Sequence, residues 1–354
     1  MNINETFTDD KIQILKNANK KLCIGDLTDG RGVIFVYCPA KVGSTSLVSY
    51  IRLYATDKYS VVHLHDEIML KVLTGVTGVT IKEIIEYNAQ IGREVWAIDV
   101  YRTPIERKMS TYFEEISSLH FNNTEEAISK YKVERLIDRF NLIYPYVATG
   151  DHYMDKYGIS ELLPGAFDLE KKYLLIKKEG VNYLKLRLSD SGLWSKILSI
   201  LLRTPIKISQ ENETKDKAIN MQYDNFKRAY KLPLKYFLDL KDDKYLTYFC
   251  SLEEREAYLK KWSLKVDKNG ENKITEWTQD MYNEYIKVSS ANSEHNRVIY
   301  GQYKDTGCKC NGCKEQRVLV KEGKKVKVEH GEMKGVERVK MVMVMVNNGW
   351  NRRG

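Results

Sequence analysis

The chain has 354 residues, of which 43% are hydrophobic and 30% are charged. This apolar content is sufficient for a sizeable core, and the length predicts one large domain or one domain with an appendage. The formal charge is +9, but residues 301–354 alone carry a surplus of seven positive charges. The first 300 residues are therefore nearly neutral, which argues against nucleic-acid binding by the main domain.

The cysteines and the apolar residues are distributed as in a protein of a reducing, aqueous compartment. Three of the six cysteines are scattered and three cluster near the C-terminus, which is not the disulfide framework of a secreted protein. Residues 1–20 are polar and lack the pattern of a signal peptide. Because no apolar run reaches the roughly 18 residues that span a bilayer, we expect a cytoplasmic protein without a membrane span.

The first strong pattern is an apolar run, then a loop of small residues, then a helix. Residues 33–37 are typical of a strand buried on both faces, and Leu47 and Ile51 recur at helical spacing. The loop between them predicts a phosphate cradle, because amides at a helix N-terminus favour an anion. Its candidate binding residues are Lys41, Val42, Gly43, Ser44, Thr45 and Ser46. The alternative is an ordinary capped turn, and the Walker A order, with Lys directly after Gly, is absent.

Two further strands are predicted next, over residues 61–64 and 95–101. Between them, Thr80 and Glu83 form a capping box that begins a helix reaching about Gln90. The alternation of strands and helices predicts right-handed βαβ units and a parallel sheet.

Polar residues follow these strands directly. Arg102 comes after the third strand, and the helix that begins at Pro104 carries Ser110 about two turns along. Ligands of parallel α/β sheets bind beyond the carboxyl ends of the strands. The cradle loop (residues 41–46), His65 and Arg102 all lie at such ends.

The second half of the chain is richer in helix patterns. Leu136, Ile137 and Phe140 share one helix face, further helices are predicted near 192–202 and 213–230, and a capping box at Ser251 begins a helix ending near Trp262. Two strands, over 173–176 and 183–188, flank a turn. In the second strand Lys185 and Arg187 alternate with leucines, which favours a solvated face, the alternative being contact with an acidic substrate or a phosphate.

The composition changes at Asp267 and suggests three parts: a lead-in over 1–30, an α/β domain over 31–266 and a basic appendage over 267–354. The appendage contains Cys308, Cys310 and Cys313, with His295 upstream. These residues could bind zinc, but their spacing is not that of a zinc ribbon, so we favour free thiols. Residues 339–346 are predicted to form a short strand.

Two motifs of this chain resemble those of the sulfotransferases that use 3′-phosphoadenosine 5′-phosphosulfate (PAPS). Residues 39–46 resemble the family's 5′-phosphosulfate loop, P-K-x-G-[ST]-[ST], with Ala40 as an extra residue between Pro39 and Lys41. Arg102 and Ser110, eight positions apart, resemble the family's 3′-phosphate motif. Residues 151–158, 171–188 and 212–227 are similar to a bacterial subgroup linked to capsular polysaccharide synthesis. The resemblance covers roughly 31–265.

The resemblance implies a fold, a donor and roles for the motif residues. The expected fold is α/β, a parallel sheet flanked by helices of the P-loop NTPase-like sulfotransferase type, with a helix-rich second half. The loop of residues 43–46 would hold the 5′-phosphosulfate of PAPS, and Lys41 would neutralise the leaving phosphate oxygen. Arg102 and Ser110 would bind the 3′-phosphate, and no metal is required. The acceptor is expected to be a carbohydrate hydroxyl.

The acceptor hydroxyl needs a general base, and the candidates are His63, His65, Asp66 and Glu67. Members of the family use either His or Glu, so the resemblance does not choose between them. His65 is our first choice because it is nearer the loop end than His63, the alternative being a hydrogen-bonded structural histidine.

Two other classes of function stay open. A small-molecule or nucleotide kinase would use a similar scaffold, but the Gly-Lys-Ser/Thr order and an evident acidic ligand for Mg²⁺ are missing. An inactive glycan- or nucleotide-binding protein with a basic tail is the other. The retention of Lys41 and of several base candidates argues against it.

Overall fold

The apolar segments of the sequence form the strands of one five-stranded sheet. In a computed structural model of the chain, β1 (Gly32–Tyr37), β2 (Tyr59–Leu64) and β3 (Val95–Tyr101) are parallel. After β4 (Leu174–Lys178), β5 (Val181–Arg187) pairs parallel with β3 and antiparallel with β4. The residues that the structure describes are 6–25, 27–114, 116, 120–121, 125–144, 156–159, 162, 164–208, 219–268 and 270.

The strand order is β2-β1-β3-β5-β4. The chain passes from β1 outward to β2 and then returns across β1 to β3, so the direction of winding reverses between β1 and β3. In open α/β sheets, ligands bind at the carboxyl ends of the strands at such a reversal. The predicted α/β class, with a mostly parallel sheet flanked by helices, is confirmed, and β4 is its one antiparallel strand within the described residues.

Helices pack on both faces of the sheet, and they form most of the described second half of the chain. In chain order the described helices are α1 (Asp9–Lys21), α2 (Ser44–Ala55), α3 (Glu67–Thr74), α4 (Ile81–Gln90), α5 (Pro104–Glu114), α6 (Glu125–Ile128), α7 (Val133–Ile143), α8 (Trp194–Leu201), α9 (Asn220–Ala229), α10 (Leu234–Lys241), α11 (Lys244–Phe249) and α12 (Leu252–Ser263). Leu27–Asp29 and Leu188–Leu193 form 3₁₀ turns.

The strand β1 is buried on both faces, as its apolar sequence predicted. Val33 and Phe35 pack into a core cluster with residues of α1, α4 and α5. Ile34 and Val36 point to the opposite face, where residues of α2 and α8 cover them. Because side chains of a strand alternate between faces, the two layers of helices explain a run with no polar position.

The capping signals located helix starts well. The predicted boxes at Thr80 and Ser251 are both formed, each with the reciprocal bonds to a glutamate three residues on. Other elements were missed. The sequence patterns predicted no helix over α3, whose N-cap is Asp66, and none over α10 or α11.

The expected solvated face of β5 is wrong. Lys185 is fully buried and Arg187 is only 2% exposed, because β5 lies between two strands and is covered on both faces. Lys185 Nζ lies 2.5 Å from Asp99 on the neighbouring β3. Arg187 bonds Asp190 and Glu254 and the carbonyl of Phe249, and these partners compensate its charge.

The described chain ends with a short parallel pair, β6 (Leu232–Pro233) and β7 (Val266–Asp267). The three-part domain division stays a prediction. The cysteines of the appendage, His295 and the strand predicted at 339–346 lie outside the described residues. Among the helices of the described residues, none has the length and apolarity needed to cross a bilayer.

Candidate functional site

The loop after β1 has a backbone conformation that only certain residues tolerate. Gly43 has φ +85° and Lys41 has φ +64°, both in the left-handed region. A Cβ on Gly43 would lie 2.9 Å from Leu188 Cδ1 and 3.1 Å from the Trp194 ring. Glycine is therefore required at this turn, both for its φ and for the close approach of the second half of the chain.

The loop delivers the chain into the N-terminus of α2. Gly43 is the N-cap and has no side chain with which to cap the first amides of the helix. Ser44 and Ser46 are buried, whereas Thr45 is exposed, and Val42 packs into the core beneath the loop. Amides at the positive end of a helix, with hydroxyl groups beside them, suit an anion.

Lys41 brings a positive charge to this loop. Its Nζ lies 3.2 Å from Glu114 at the end of α5, and both side chains are partly exposed. An ion pair of this kind contributes only about 0–1 kcal/mol. Lys41 can therefore exchange Glu114 for a phosphate or sulfate at little cost.

Arg102 joins the cradle loop to the end of β3. Its Nη1 donates to the main-chain oxygen of Lys41 at 2.7 Å. It also forms a hydrogen bond with Tyr223 of α9, and burial lowers the pKa of its guanidinium from the ordinary value. A guanidinium has five N–H donors, so two contacts leave donors for a ligand. The structure thus brings together two motifs that are 61 residues apart.

Ser110 lies on α5, six residues after Pro104, which corresponds to about 9 Å along the helix axis. It is buried, with 7% exposure. The helix itself is anchored by Glu106, whose carboxylate accepts from the Tyr258 hydroxyl and from Lys261 on α12. That Arg102 and Ser110 act as a pair on one phosphate stays a prediction.

His65 lies just beyond β2 and is oriented by the loop after β1. Its Nδ1 lies 2.7 Å from the carbonyl oxygen of Cys38. A carbonyl oxygen only accepts, so in the neutral ring Nδ1 carries the proton and Nε2 keeps its lone pair. That lone pair is what a general base requires.

His63 lies within β2 and is only 5% exposed. Its ring contacts that of His65 edge to face, with 4.7 Å between centroids. Burial, and then the charges of His65 and Arg52, hold the pKa of His63 well below its usual value of 6.5. His63 is therefore neutral at physiological pH and is less accessible than His65.

Asp66 and Glu67 are engaged at helix N-termini. Asp66 accepts from the amide of Met69 at 2.8 Å. The Glu67 carboxylate accepts from the amide of Ile81, the first residue of α4, at 3.1 and 3.2 Å. Burial raises the pKa of Glu67, and the Ile81 amide and Lys156 offset part of this rise. Of the two histidines, His65 is the more exposed, and its contact with the Cys38 carbonyl oxygen orients the ring so that Nε2 carries the lone pair.

Two residues of the site were missed by sequence reasoning. Cys38 is fully buried and supplies the carbonyl that orients His65. Its place directly after a predicted strand was a usable signal. Tyr223 contacts Arg102 from α9, and no local pattern pairs residues so distant in the sequence.

An open groove of about 530 Å³ lies elsewhere on the surface. None of its lining residues belongs to the loops that follow β1, β2 or β3, so it is not part of this site. The lining residues are Tyr131, Val133, Gln222, Asn225, Arg228 and Ala229.

Comparisons of the chain with protein-family models, with curated proteins and with solved structures found no match. The function is therefore inferred from the residues of the site and from the motifs that they form.

Proposed function

We propose that this protein is a PAPS-dependent sulfotransferase that transfers a sulfuryl group to a carbohydrate hydroxyl. One observation carries the proposal: Arg102 Nη1 contacts the main-chain oxygen of Lys41 at 2.7 Å, at the reversal between β1 and β3. Residues of both motifs thus meet at the kind of position where open α/β sheets bind their ligands.

The donor would bind along this edge of the sheet. The amides and hydroxyls of residues 43–46 would hold the 5′-phosphosulfate at the N-terminus of α2. The remaining guanidinium donors of Arg102, with the hydroxyl of Ser110, would bind the 3′-phosphate, for which the planar fork of arginine is well suited. This 3′-phosphate is what distinguishes PAPS from ATP.

The transfer step needs positioning and charge stabilisation more than covalent catalysis. His65 Nε2 accepts the proton of the acceptor hydroxyl while its oxygen forms a bond to sulfur. The bond between sulfur and the 5′-phosphate oxygen breaks, and adenosine 3′,5′-bisphosphate leaves. Lys41 neutralises the charge that develops on the leaving oxygen, and no metal ion takes part in this scheme.

The carbohydrate acceptor rests on the resemblance to bacterial capsular enzymes. Residues 151–155 and 212–218, which belong to two of the similar segments, lie outside the described residues. Acceptor pockets are commonly built from loops, so the acceptor class is proposed from the sequence and not from a pocket.

The proposal is tested by incubating the protein with radiolabelled PAPS and a panel of polysaccharide acceptors. We expect label in a glycan with the unchanged chain, and a loss of about 100-fold or more in rate for His65→Ala, as for removal of a general base. Lys41→Ala should also lower the rate, whereas Lys82→Ala, which removes a surface ion pair with Glu86, should not. A parallel incubation with radiolabelled ATP tests the alternative: transfer of phosphate from ATP, without transfer from PAPS, would favour the kinase instead.

A further inference from the structure

The residues at the adjoining ends of β1 and β2 form a cluster that the transfer mechanism uses only in part. The thiol of Cys38 and one ring nitrogen each of His63 and His65 all lie within 4.8 Å of one another. Cys38 is fully buried, His63 nearly so, and His65 is half-exposed. A thiol and two imidazoles form the ligand set that zinc and related cations prefer.

The sheet places these three side chains on one face. In the register of the parallel pair, Val36 lies beside His63 and Tyr37 beside Leu64. One residue further along, Cys38 falls beside His65. Because side chains alternate along a strand, Cys38 follows Val36 on the face that α2 covers, and His65 follows His63 on that same face. The register of the two paired strands therefore determines the relative positions of the three side chains.

From these observations we propose that Cys38, His63 and His65 bind one Zn²⁺ ion. Ligand atoms of a tetrahedral zinc site with Zn–S near 2.3 Å and Zn–N near 2.0 Å lie about 3.3–3.6 Å apart. The cluster is within reach of this geometry after side-chain shifts of about 1 Å. Three protein ligands leave a fourth position for water or another small ligand, as in zinc sites that exchange ligands.

The hydrogen bond of His65 supports the same assignment. Metal-bound histidines commonly donate their other ring N–H to a carbonyl or carboxylate, which fixes the tautomer. His65 Nδ1 already has such a partner in the Cys38 carbonyl oxygen at 2.7 Å. We therefore assign Nε2 as the ligand atom of His65, and the loop after β1 supplies both a ligand and the group that orients a second ligand.

Metal binding here has a consequence for transfer, and this part rests on the proposed function. Zn²⁺ on Nε2 of His65 takes the lone pair that would accept the acceptor proton. The bound ion therefore inhibits sulfuryl transfer reversibly, and a chelator restores it. Zinc at this site regulates the enzyme and has no role in its chemistry.

The binding part is tested with Co²⁺, which replaces Zn²⁺ and reports a thiolate ligand by its charge-transfer absorption. The full chain carries three tail cysteines, so the experiment uses C308S/C310S/C313S as the parent. We expect one equivalent of Co²⁺ with a sulfur-to-cobalt band, displaced by Zn²⁺. Cys38→Ser should abolish the band. His65→Gln should weaken Co²⁺ binding by about 100-fold or more, because even residues that only hydrogen-bond to a metal ligand contribute about 10–100-fold to metal affinity.

Cys250→Ser is the matched control, because Cys250 lies outside the cluster. It should keep the band, and thermal unfolding should show that Cys38→Ser and His65→Gln are folded. A parent without the band, or a band that survives in folded Cys38→Ser and His65→Gln, overturns the site. If Co²⁺ binds as expected but the protein never transfers sulfate, the proposed function fails and the metal site stands. If transfer is unaffected by saturating Zn²⁺, the inhibitory role is wrong.

Discussion

Replacement of Gly43 by alanine tests two constraints on the cradle loop, which are its left-handed backbone conformation and its close contact with the second half of the chain. Placing a residue other than glycine in the left-handed region costs about 1–2 kcal/mol. In addition, the new Cβ would lie 2.9 Å from Leu188 Cδ1 and 3.1 Å from the ring of Trp194, which is only 1% exposed. Overpacking of this kind costs about 1–3 kcal/mol. We therefore expect Gly43→Ala to lower the free energy of unfolding by about 2–5 kcal/mol.

The matched control is Gly75→Ala at the end of α3. Gly75 has φ +66°, and a Cβ there would meet no atom within 4 Å. Its substitution therefore has only the backbone cost. Urea unfolding should show Gly43→Ala to be less stable than Gly75→Ala by about 1–3 kcal/mol. The dependence of the unfolding free energy on urea concentration should be compared between the two variants. Equal losses would mean that Leu188 and Trp194 do not enclose the loop, and the described contact with the second half would be wrong.

Three further expectations concern buried charges and titration. Lys185→Met should destabilise by about 3–5 kcal/mol because it leaves the Asp99 carboxylate buried without its cation, and Asp99→Asn in the same chain should recover part of this loss in urea unfolding. The raised pKa of Glu67 means that its stabilising contribution is present below the ordinary glutamate pKa and is lost as pH rises through the folded-state pKa. Glu67→Gln should therefore be at least as stable as the parent at neutral pH and should keep its transfer rate; a loss of rate like that of His65→Ala would make the carboxylate the base. Burial lowers the pKa of His120 to about 3, so the unfolded state binds the proton first and stability falls as pH drops below 6.5. At about pH 5 this amounts to about 2 kcal/mol, and His120→Phe should remove that part of the pH dependence, whereas an unchanged pH profile would place His120 in contact with water.

The first half of the fold was largely predictable because its signals are local. A run such as residues 33–37 can be satisfied only by burial on both faces, and the capping boxes at Thr80 and Ser251 mark helix starts by their own hydrogen bonds. The association of the cradle loop with Arg102 also followed from the rule for parallel strands, since both lie at carboxyl ends.

The failures have a common physical cause, which is that the partner is remote in sequence. The alternation around Lys185 predicts a solvated side chain, but in the structure Asp99 lies beside Lys185 on the neighbouring strand and pairs with it. The sequence around Glu67 predicts a polar residue at a strand end, whereas its carboxylate accepts a hydrogen bond from the first amide of α4. Tyr223 reaches Arg102 from a helix in the second half. Local periodicity carries no information about such pairings.

The most direct test of the proposed donor site is calorimetric titration of the full chain with adenosine 3′,5′-bisphosphate and, in parallel, with adenosine 5′-phosphate and ATP. A charge-assisted hydrogen bond contributes roughly 1.5–3 kcal/mol, so the bisphosphate should bind about tenfold or more tightly than the 5′-phosphate. Arg102→Ala should remove this difference, while Arg228→Ala on the exposed side of α9 should keep it. Equal affinities for the two nucleotides, or tighter binding of ATP, would contradict the assignment of a site for the 3′-phosphate of PAPS.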